Sequence, residues 1–244
     1  MPAKLEHSHE PDAIRERLAE GAKAGYVRDW IYGAIDGAVT VSAVISGVRG
    51  AELSTAVVLV VGLANLLADG FAMGAGNYIA TKSERDDYQR LLAIERRHIA
   101  LVPDGEREEV RQIFARKGFD EADLDRIVAV IAADESRWAE TMAMEEYGAS
   151  PASKSPVRAG IVTFAAFVLA GMVPLATYLA APSFSACAIA TGWLFFAIGA
   201  VRSLWSPTSW GRSGLETCVI GMCAAGLAFL VGYGLRIALA LPPG

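Results

Sequence analysis

Residues 27–48 read VRDWIYGAIDGAVTVSAVISGV, an apolar run that carries the carboxylate of Asp36 near its middle. The run is long enough for a helix to cross the hydrocarbon core of a bilayer, which is about 30 Å thick. A charged Asp near the centre of such a helix costs roughly 2.5–3.5 kcal/mol on insertion scales. We therefore expect Asp36 to have a function that offsets this cost.

Four further apolar runs follow, and the chain of 244 residues is 53% hydrophobic, which is high for a soluble domain of this size. The runs cover residues 53–80, 157–181, 184–204 and 215–239. Each is close to the length that a transmembrane helix needs. The sequence predicts an all-α polytopic membrane protein with five transmembrane helices.

A polar insert separates the second and third runs. It contains 12 Lys/Arg and 17 Asp/Glu, a net charge of −5, whereas the rest of the chain is neutral. Helix formers and apolar residues at helical spacing predict a small amphipathic bundle, continuous with the second span and broken at Pro103-Asp104-Gly105. The acidic balance favours cations and argues against nucleic acid as a partner. We divide the chain into an N-terminal disordered tail (1–26), spans one and two (27–80), the helical insert (81–155) and spans three to five (156–244).

Basic residues cluster at one set of span ends. They are Lys23, Arg28, Lys82, Arg85, Lys154, Arg158, Arg202 and Arg212. The positive-inside rule places these ends in the cytoplasm, with the insert, and the C-terminus outside. A bacterial inner membrane fits a compact chain with a short N-terminal tail.

Polar residues in the second span form a stripe. Asn65, Asp69 and Met73 follow one another at steps of four, and Gly62 and Gly76 extend the stripe at its two ends. A polar stripe on a membrane helix must face protein or water. A hydrogen-bonding seam between helices is the alternative to an ion path, but the second acid exceeds what packing needs.

Two GxxxG pairs lie in the first two spans, at Gly33/Gly37 and Gly70/Gly74. This spacing lets helix backbones approach closely. It predicts that helices from two subunits of a homodimer enclose a narrow polar path.

Three residue pairs in the insert each share a helix face: Glu95 with His98, Glu106 with Glu109, and Met142 with Glu146. Carboxylate, imidazole and thioether groups together suit a borderline divalent metal such as Fe²⁺. A solvated charged face is the alternative, since such pairs are common on amphipathic helices.

Motifs for other functions are missing from the sequence. It has no GxxxxGK[ST] phosphate loop, no Gly-x-Ser-x-Gly elbow and no HExxH. Its three cysteines form no CxxC pair. We predict neither an ATP-driven pump nor an enzyme, and no prosthetic group.

The order of several short motifs resembles the vacuolar iron transporter family of Fe²⁺/Mn²⁺ carriers. The matching stretches are Arg28-Asp29, Asp36-Gly37 with Val39-Thr40, Phe71-Ala72-Met73-Gly74, Tyr78-Ile79-Ala80-Thr81-Lys82-Ser83-Glu84, Val102-Pro103-Asp104 and Gly171-Met172-Val173-Pro174-Leu175. The resemblance implies five spans, a dimer with the metal path on its two-fold axis, and a cytoplasmic metal-binding insert. It implies that Asp36 and Met73 are intramembrane metal ligands. The insert ligands that it implies are Glu95, Glu106, Glu109, Met142 and Glu146.

Four positions depart from the family pattern. His98 stands where the family often has a further Glu, and Ala143 where a second Met can occur. Asn65 stands where an acid is usual, while Asp69, one turn later, stands where a small residue is usual. The acid has therefore moved along one helix face.

These observations predict a transporter that exports Fe²⁺, with Mn²⁺ as a second candidate, from the cytoplasm in exchange for protons. Two alternatives stay open. One is a membrane-anchored metal-binding or sensing protein without transport, and the other is a scaffold whose insert docks a partner. The acids inside the spans favour transport, because a scaffold has no need to bury them.

Overall fold

The computed structural model describes residues 7–20, 25–151, 154–180 and 183–240. Within these ranges the chain is helical and has no β-strand, which confirms the predicted all-α fold. The α-helices are α1 (Pro11–Glu20), α2 (Val27–Gly50), α3 (Thr55–Leu101), α4 (Pro103–Arg116), α5 (Glu121–Ala132), α6 (Glu135–Tyr147), α7 (Pro156–Ala180), α8 (Phe184–Arg202) and α9 (Trp210–Leu239). A 3₁₀ turn, Ser203–Trp205, follows α8.

Five helices are long and apolar enough to cross a bilayer: α2, α3, α7, α8 with its 3₁₀ turn, and α9. This confirms the five predicted spans. The last span begins at Trp210 rather than at Leu215. Helix α3 has 47 residues and continues from the second span into the insert, as the sequence predicted.

The described residues group into two compact units. We call residues 25–79 and 154–240 the spanning unit, and residues 7–20 and 80–151 the insert unit. Helix α1 forms where we expected a disordered tail. Pro11 at its first position and Asp12 in its first turn both favour a helix start.

Helix α7 packs against α2 at two glycines that leave no room for a side chain. A Cβ on Gly33 would lie 2.4 Å from the backbone oxygen of Thr163, and a Cβ on Gly37 would lie 2.2 Å from that of Phe167. Any larger residue would therefore push α7 away from α2.

The second glycine pair packs against the same helix. A Cβ on Gly70 would lie 3.1 Å from a ring carbon of Phe167, and one on Gly74 would lie 2.9 Å from the backbone oxygen of Gly160. The prediction that these glycines bring helices of two subunits together is wrong, because α7 of the same chain fills their open sides. The core around this contact consists of Val41, Ile45, Val58, Leu66, Phe167, Leu175, Tyr178 and Cys187.

A partly buried polar network joins α2, α3 and the start of α7 at one end of the spanning unit. Asn77 Nδ2 donates to Asp29 Oδ1 at 3.1 Å and to Thr163 Oγ1 at 2.7 Å. Lys154 Nζ donates to Asp29 Oδ2 at 3.0 Å. Asp29 is only 6% exposed, and both of its carboxylate oxygens accept hydrogen bonds. We call these four residues the Asp29 network.

The insert unit differs from the prediction at one break. Helix α4 begins at Pro103 and includes Asp104 and Gly105, so only Val102 separates it from α3. The predicted break is therefore present but shorter, because α4 starts three residues before Glu106, where the sequence predicted it to start. Proline fits the first turn of a helix because its missing N–H group would have no partner there.

Side-chain caps fix the remaining helix starts of the insert unit. Asp120 accepts a hydrogen bond from the Asp123 backbone N–H at 3.1 Å, and Asp134 accepts one from Arg137 at 2.9 Å. Gly148, with a φ of 66°, ends α6 in the left-handed conformation. The helices enclose a core of Val110, Val128, Ile131, Trp138 and Met142.

Candidate metal centre

The end of α3 and the start of α4 bring two glutamates together around a histidine. Because Val102 alone separates these helices, Glu95 and His98 of α3 meet Glu106 of α4. His98 Nδ1 lies 3.6 Å from Glu106 Oε1 and 4.0 Å from Glu95 Oε1. One ligand atom from each side chain lies within 4.8 Å of the other two. We call Glu95, His98 and Glu106 the acidic cluster.

The two glutamates of the acidic cluster are buried, but most of their carboxylate oxygens accept no hydrogen bond within the described ranges. Glu95 is 0% exposed and Glu106 is 2% exposed. Among the residues that the structure describes, neither oxygen of Glu95 nor Oε2 of Glu106 has a hydrogen-bond partner. Burying an ionised carboxylate in this way is unfavourable. A divalent cation bound by these oxygens would supply the opposite charge.

The pKa values of both glutamates are shifted upwards. Burial, followed by the negative charges of Glu109 and Glu95, raises the pKa of Glu106 to about 7. Burial, followed by the charge of Glu146, raises the pKa of Glu95. Glu106 is therefore partly protonated near neutral pH, and a metal ion bound at its carboxylate would displace that proton.

The other predicted insert ligands lie around the acidic cluster or in the core. Glu109 and Glu146 are exposed, and their charges act on the two buried glutamates. Met142 is 0% exposed and packs in the core with Val110 and Ile131. The structure thus brings three predicted ligands together, places two more nearby and buries the thioether among apolar side chains.

The predicted intramembrane residues lie in the spanning unit. Asp36 on α2 and Asp69 on α3 are both half-buried. Within the described part of the chain, neither forms an ion pair. Met73 is half-buried against the apolar core, and Asn65 is half-buried one turn before Asp69 on α3. The acids therefore have carboxylate oxygens available for a cation.

Comparison with known proteins decides the family. Residues 27–233 match the family model described as the VIT family. The chain belongs to the VIT family. This confirms the resemblance that the short motifs indicated.

Relatives within the VIT family resemble this chain over most of its length. Vacuolar iron transporter 1 of Eucalyptus grandis is 33% identical, across 83% of this chain and 84% of the relative. Vacuolar iron transporter 1 of Arabidopsis thaliana is 32% identical, across 83% of each chain. Vacuolar iron transporter 2 of Oryza sativa subsp. japonica is 32% identical, across 83% of this chain and 85% of the relative. The match to the VIT family model covers the spans as well as the insert. With its five candidate spans, this chain is a multi-pass membrane protein.

Sequence reasoning missed one residue beside the acidic cluster of this VIT family member. Burial, followed by the charges of Glu95 and Glu146, raises the pKa of Tyr147 to about 12. The phenol therefore stays neutral at physiological pH and is able to donate a hydrogen bond to a carboxylate. Its position directly after Glu146, at the end of α6, was the signal that the sequence offered.

The Asp29 network was also missed, although Arg28-Asp29 is one of the motifs that match the VIT family. The predicted stripe of the second span ended at Gly76. A further step of four from Met73 leads to Asn77, the residue that joins Asp29 to Thr163. Extending the predicted stripe by one further step of four would have identified Asn77.

Proposed function

We propose that this VIT family member exports Fe²⁺ from the cytoplasm, with Mn²⁺ as a second candidate substrate, in exchange for protons. The observation that carries the proposal is that Asp36 and Asp69 both lie inside membrane-spanning helices and form no ion pair in the described part of the spanning unit. Such acids inside membrane helices mark ion pathways. The names of the relatives, vacuolar iron transporters, support iron as the substrate. No enzymatic step and no prosthetic group belongs to this proposal.

In this proposal Asp36 alternates between a metal ion and a proton. Each state avoids a buried carboxylate charge without a partner, which explains why an acid is kept in an apolar run. Met73 contributes a soft, neutral ligand that binds Fe²⁺ without further charge. Asp69 is the second titrating group, and Asn65 offers an amide oxygen on the same helix.

The insert collects metal for the membrane path in this proposal. The acidic cluster forms its centre, and Glu109 and Glu146 supply further carboxylates. The unpartnered oxygens of Glu95 and Glu106 support this assignment. Met142 binds metal only if its thioether leaves the apolar core, so we place it last among the insert ligands.

The proposed assembly is a homodimer in a bacterial inner membrane, with the N-terminus and insert cytoplasmic and the C-terminus outside. The basic residues at the span ends support the orientation. The relatives named above are eukaryotic proteins named for the vacuole.

Iron flux into proteoliposomes with an imposed pH gradient tests the proposal. Asp36→Asn keeps the size and hydrogen bonding of the side chain but cannot ionise. We expect a folded protein whose proton-coupled Fe²⁺ flux is almost abolished. Asp86→Asn, the same change at an exposed acid of α3, is the matched control and should transport like the wild type. Wild-type flux by Asp36→Asn would refute the proposed exchange.

The second candidate function is metal binding or sensing without transport. The acidic cluster favours this function, because it could hold a metal ion without any ion path through the membrane. It predicts calorimetric metal binding together with no flux in the wild-type protein. The same liposome experiment therefore separates the two functions.

A further inference from the structure

The spanning unit contains a cavity of about 660 Å³ where α2 begins and α8 ends. Arg28 and Tyr32 of α2 line one side, and Arg202, Trp205 and Ser206 line the other. None of the side chains proposed to bind metal lines this cavity. It therefore needs an explanation other than the transport path.

The rim of the cavity is positively charged. Arg28 is exposed, and no carboxylate within the described ranges pairs with it. Arg202 Nη2 pairs with Glu216 Oε2 at 3.1 Å, which leaves other donors of its guanidinium available. Tyr26, which precedes α2, makes no side-chain cap, so the N–H groups of the first turn add positive potential.

The wall of the cavity is apolar and aromatic. Val27, Ile31 and Ile35 line it along one face of α2. Tyr32 and Trp205 are 62% and 61% exposed on its rim. Exposed Trp and Tyr at the ends of membrane helices lie at the level of lipid headgroups. The cavity thus places cationic hydrogen-bond donors beside an apolar wall. At the same depth, a phospholipid has its phosphate headgroup beside its apolar acyl chains.

We propose that this cavity binds an anionic phospholipid, with its phosphate at Arg28 and Arg202 and an acyl chain along Ile31 and Ile35. The guanidinium donors match the geometry of a phosphate group. Basic pockets between transmembrane helices bind anionic headgroups in the same way. A zwitterionic lipid carries a cationic amine that this rim disfavours. A free phosphate ion would leave the apolar wall without a partner.

Native mass spectrometry of the full-length protein in detergent tests the proposal by titration with phosphatidylglycerol and phosphatidylcholine of identical acyl chains. We expect phosphatidylglycerol to bind about tenfold more tightly, because Arg28 is free to pair with the phosphate and Arg202 shares its charge with Glu216. Arg28→Gln should weaken phosphatidylglycerol binding by about fivefold and leave phosphatidylcholine unchanged. Arg158→Gln removes an exposed arginine of α7 that does not line the cavity and should have no effect.

Equal affinity for the two lipids would overturn the proposal, and so would an equal loss in Arg28→Gln and Arg158→Gln. Displacement of phosphatidylglycerol by millimolar inorganic phosphate would show a simple anion site instead of a lipid site. If Arg28→Gln fails to fold, a second measurement tests the proposal. Brominated phosphatidylglycerol should quench tryptophan fluorescence more than brominated phosphatidylcholine does, and Trp205→Phe should remove that difference. A difference that survives in Trp205→Phe would contradict the site.

Discussion

Asp29 in the spanning unit and Glu95 in the insert unit are both buried carboxylates, at 6% and 0% exposure. Their surroundings differ in one respect. Both oxygens of Asp29 accept hydrogen bonds, one from Asn77 and one from Lys154. Neither oxygen of Glu95 has a hydrogen-bond partner among the described residues, and a carboxylate oxygen of the acid Glu106 lies within 4.8 Å of one of them. The same functional group is thus satisfied in one region and unsatisfied in the other.

The difference separates a structural acid from a binding acid. A buried carboxylate with an ammonium and an amide donor holds helices together, and removing it leaves those donors without a partner. A buried carboxylate beside another carboxylate opposes folding unless a proton or a cation joins it. Burial alone therefore does not identify a metal ligand, whereas burial without hydrogen bonds does point to one.

The largest expected effect comes from Glu95→Gln combined with Glu106→Gln. These changes keep the shape of both side chains but remove their charges, so we expect the affinity of the insert for Fe²⁺ or Mn²⁺ to fall by about 100-fold or more. Calorimetry on the full-length protein measures this. Glu84→Gln with Glu140→Gln, two exposed acids of the insert unit, is the matched control. Equal metal binding by the test and control proteins would mean that the unpartnered acids are not ligands.

The next effect should come from Asp29→Ala, which leaves Lys154 and Asn77 without their acceptor. We expect a loss of about 1–3 kcal/mol in stability, measured by thermal unfolding in detergent, with metal binding by the insert unchanged. Asp87→Ala removes an exposed ion pair with Arg90 and should cost less than about 1 kcal/mol. A large loss of metal binding in Asp29→Ala would contradict the separation of the two roles.

A smaller effect should follow from pH through Glu106, whose pKa rises from 4.5 to about 7 on folding. The folded state then binds more protons than the unfolded state, so the protonation of Glu106 stabilises the metal-free protein most below pH 4.5. This contribution to the free energy of unfolding should be lost as the pH rises to 7. Metal affinity should change in the opposite direction, since deprotonation exposes the ligand. Thermal unfolding with a chelator at several pH values measures the first trend. Glu106→Gln should flatten it, and an unchanged slope in that variant would exclude Glu106 as the cause.

The smallest effect should come from Thr163→Val at the edge of the Asp29 network. Thr163 is fully buried, accepts from Asn77 and donates to the backbone oxygen of Ala159. Loss of both bonds at nearly constant volume should cost about 0.5–1 kcal/mol in thermal unfolding. Thr177→Val removes only a hydrogen bond to its own helix and is the control. Equal losses of stability in the two variants would show that the hydrogen bond between Asn77 and Thr163 does not stabilise the protein.

Hydropathy was sufficient to predict the membrane spans. Their lengths and the continuity of α3 follow from apolar runs and helix formers, which act locally. The partner of a glycine pair does not follow from its spacing. Gly33 and Gly37 were expected to meet another subunit, but they meet α7, because periodicity gives the face of a helix and not its neighbour.

The acidic cluster was predictable in composition but not in arrangement. The i, i+3 spacing placed Glu95 and His98 on one face of a helix. The start of α4 at Pro103 brings Glu106 to them, and the sequence predicted that start three residues too late. Met142 shared a face with Glu146 on α6 in sequence, yet its side chain contributes to the insert core, since spacing alone does not distinguish ligand from core.

The Asp29 network has a consequence for the polymer physics of the chain. Asn77 precedes the insert and Lys154 follows it, and both donate to the same carboxylate, so the two ends of a long loop are tied within the spanning unit. The entropy cost of closing a loop grows only with the logarithm of its length, by about 0.6 kcal/mol for each doubling. Once the ends are tied, lengthening or exchanging the segment between them costs the membrane fold little. We therefore expect the length of the segment between these two ends to have little effect on the stability of the spanning unit.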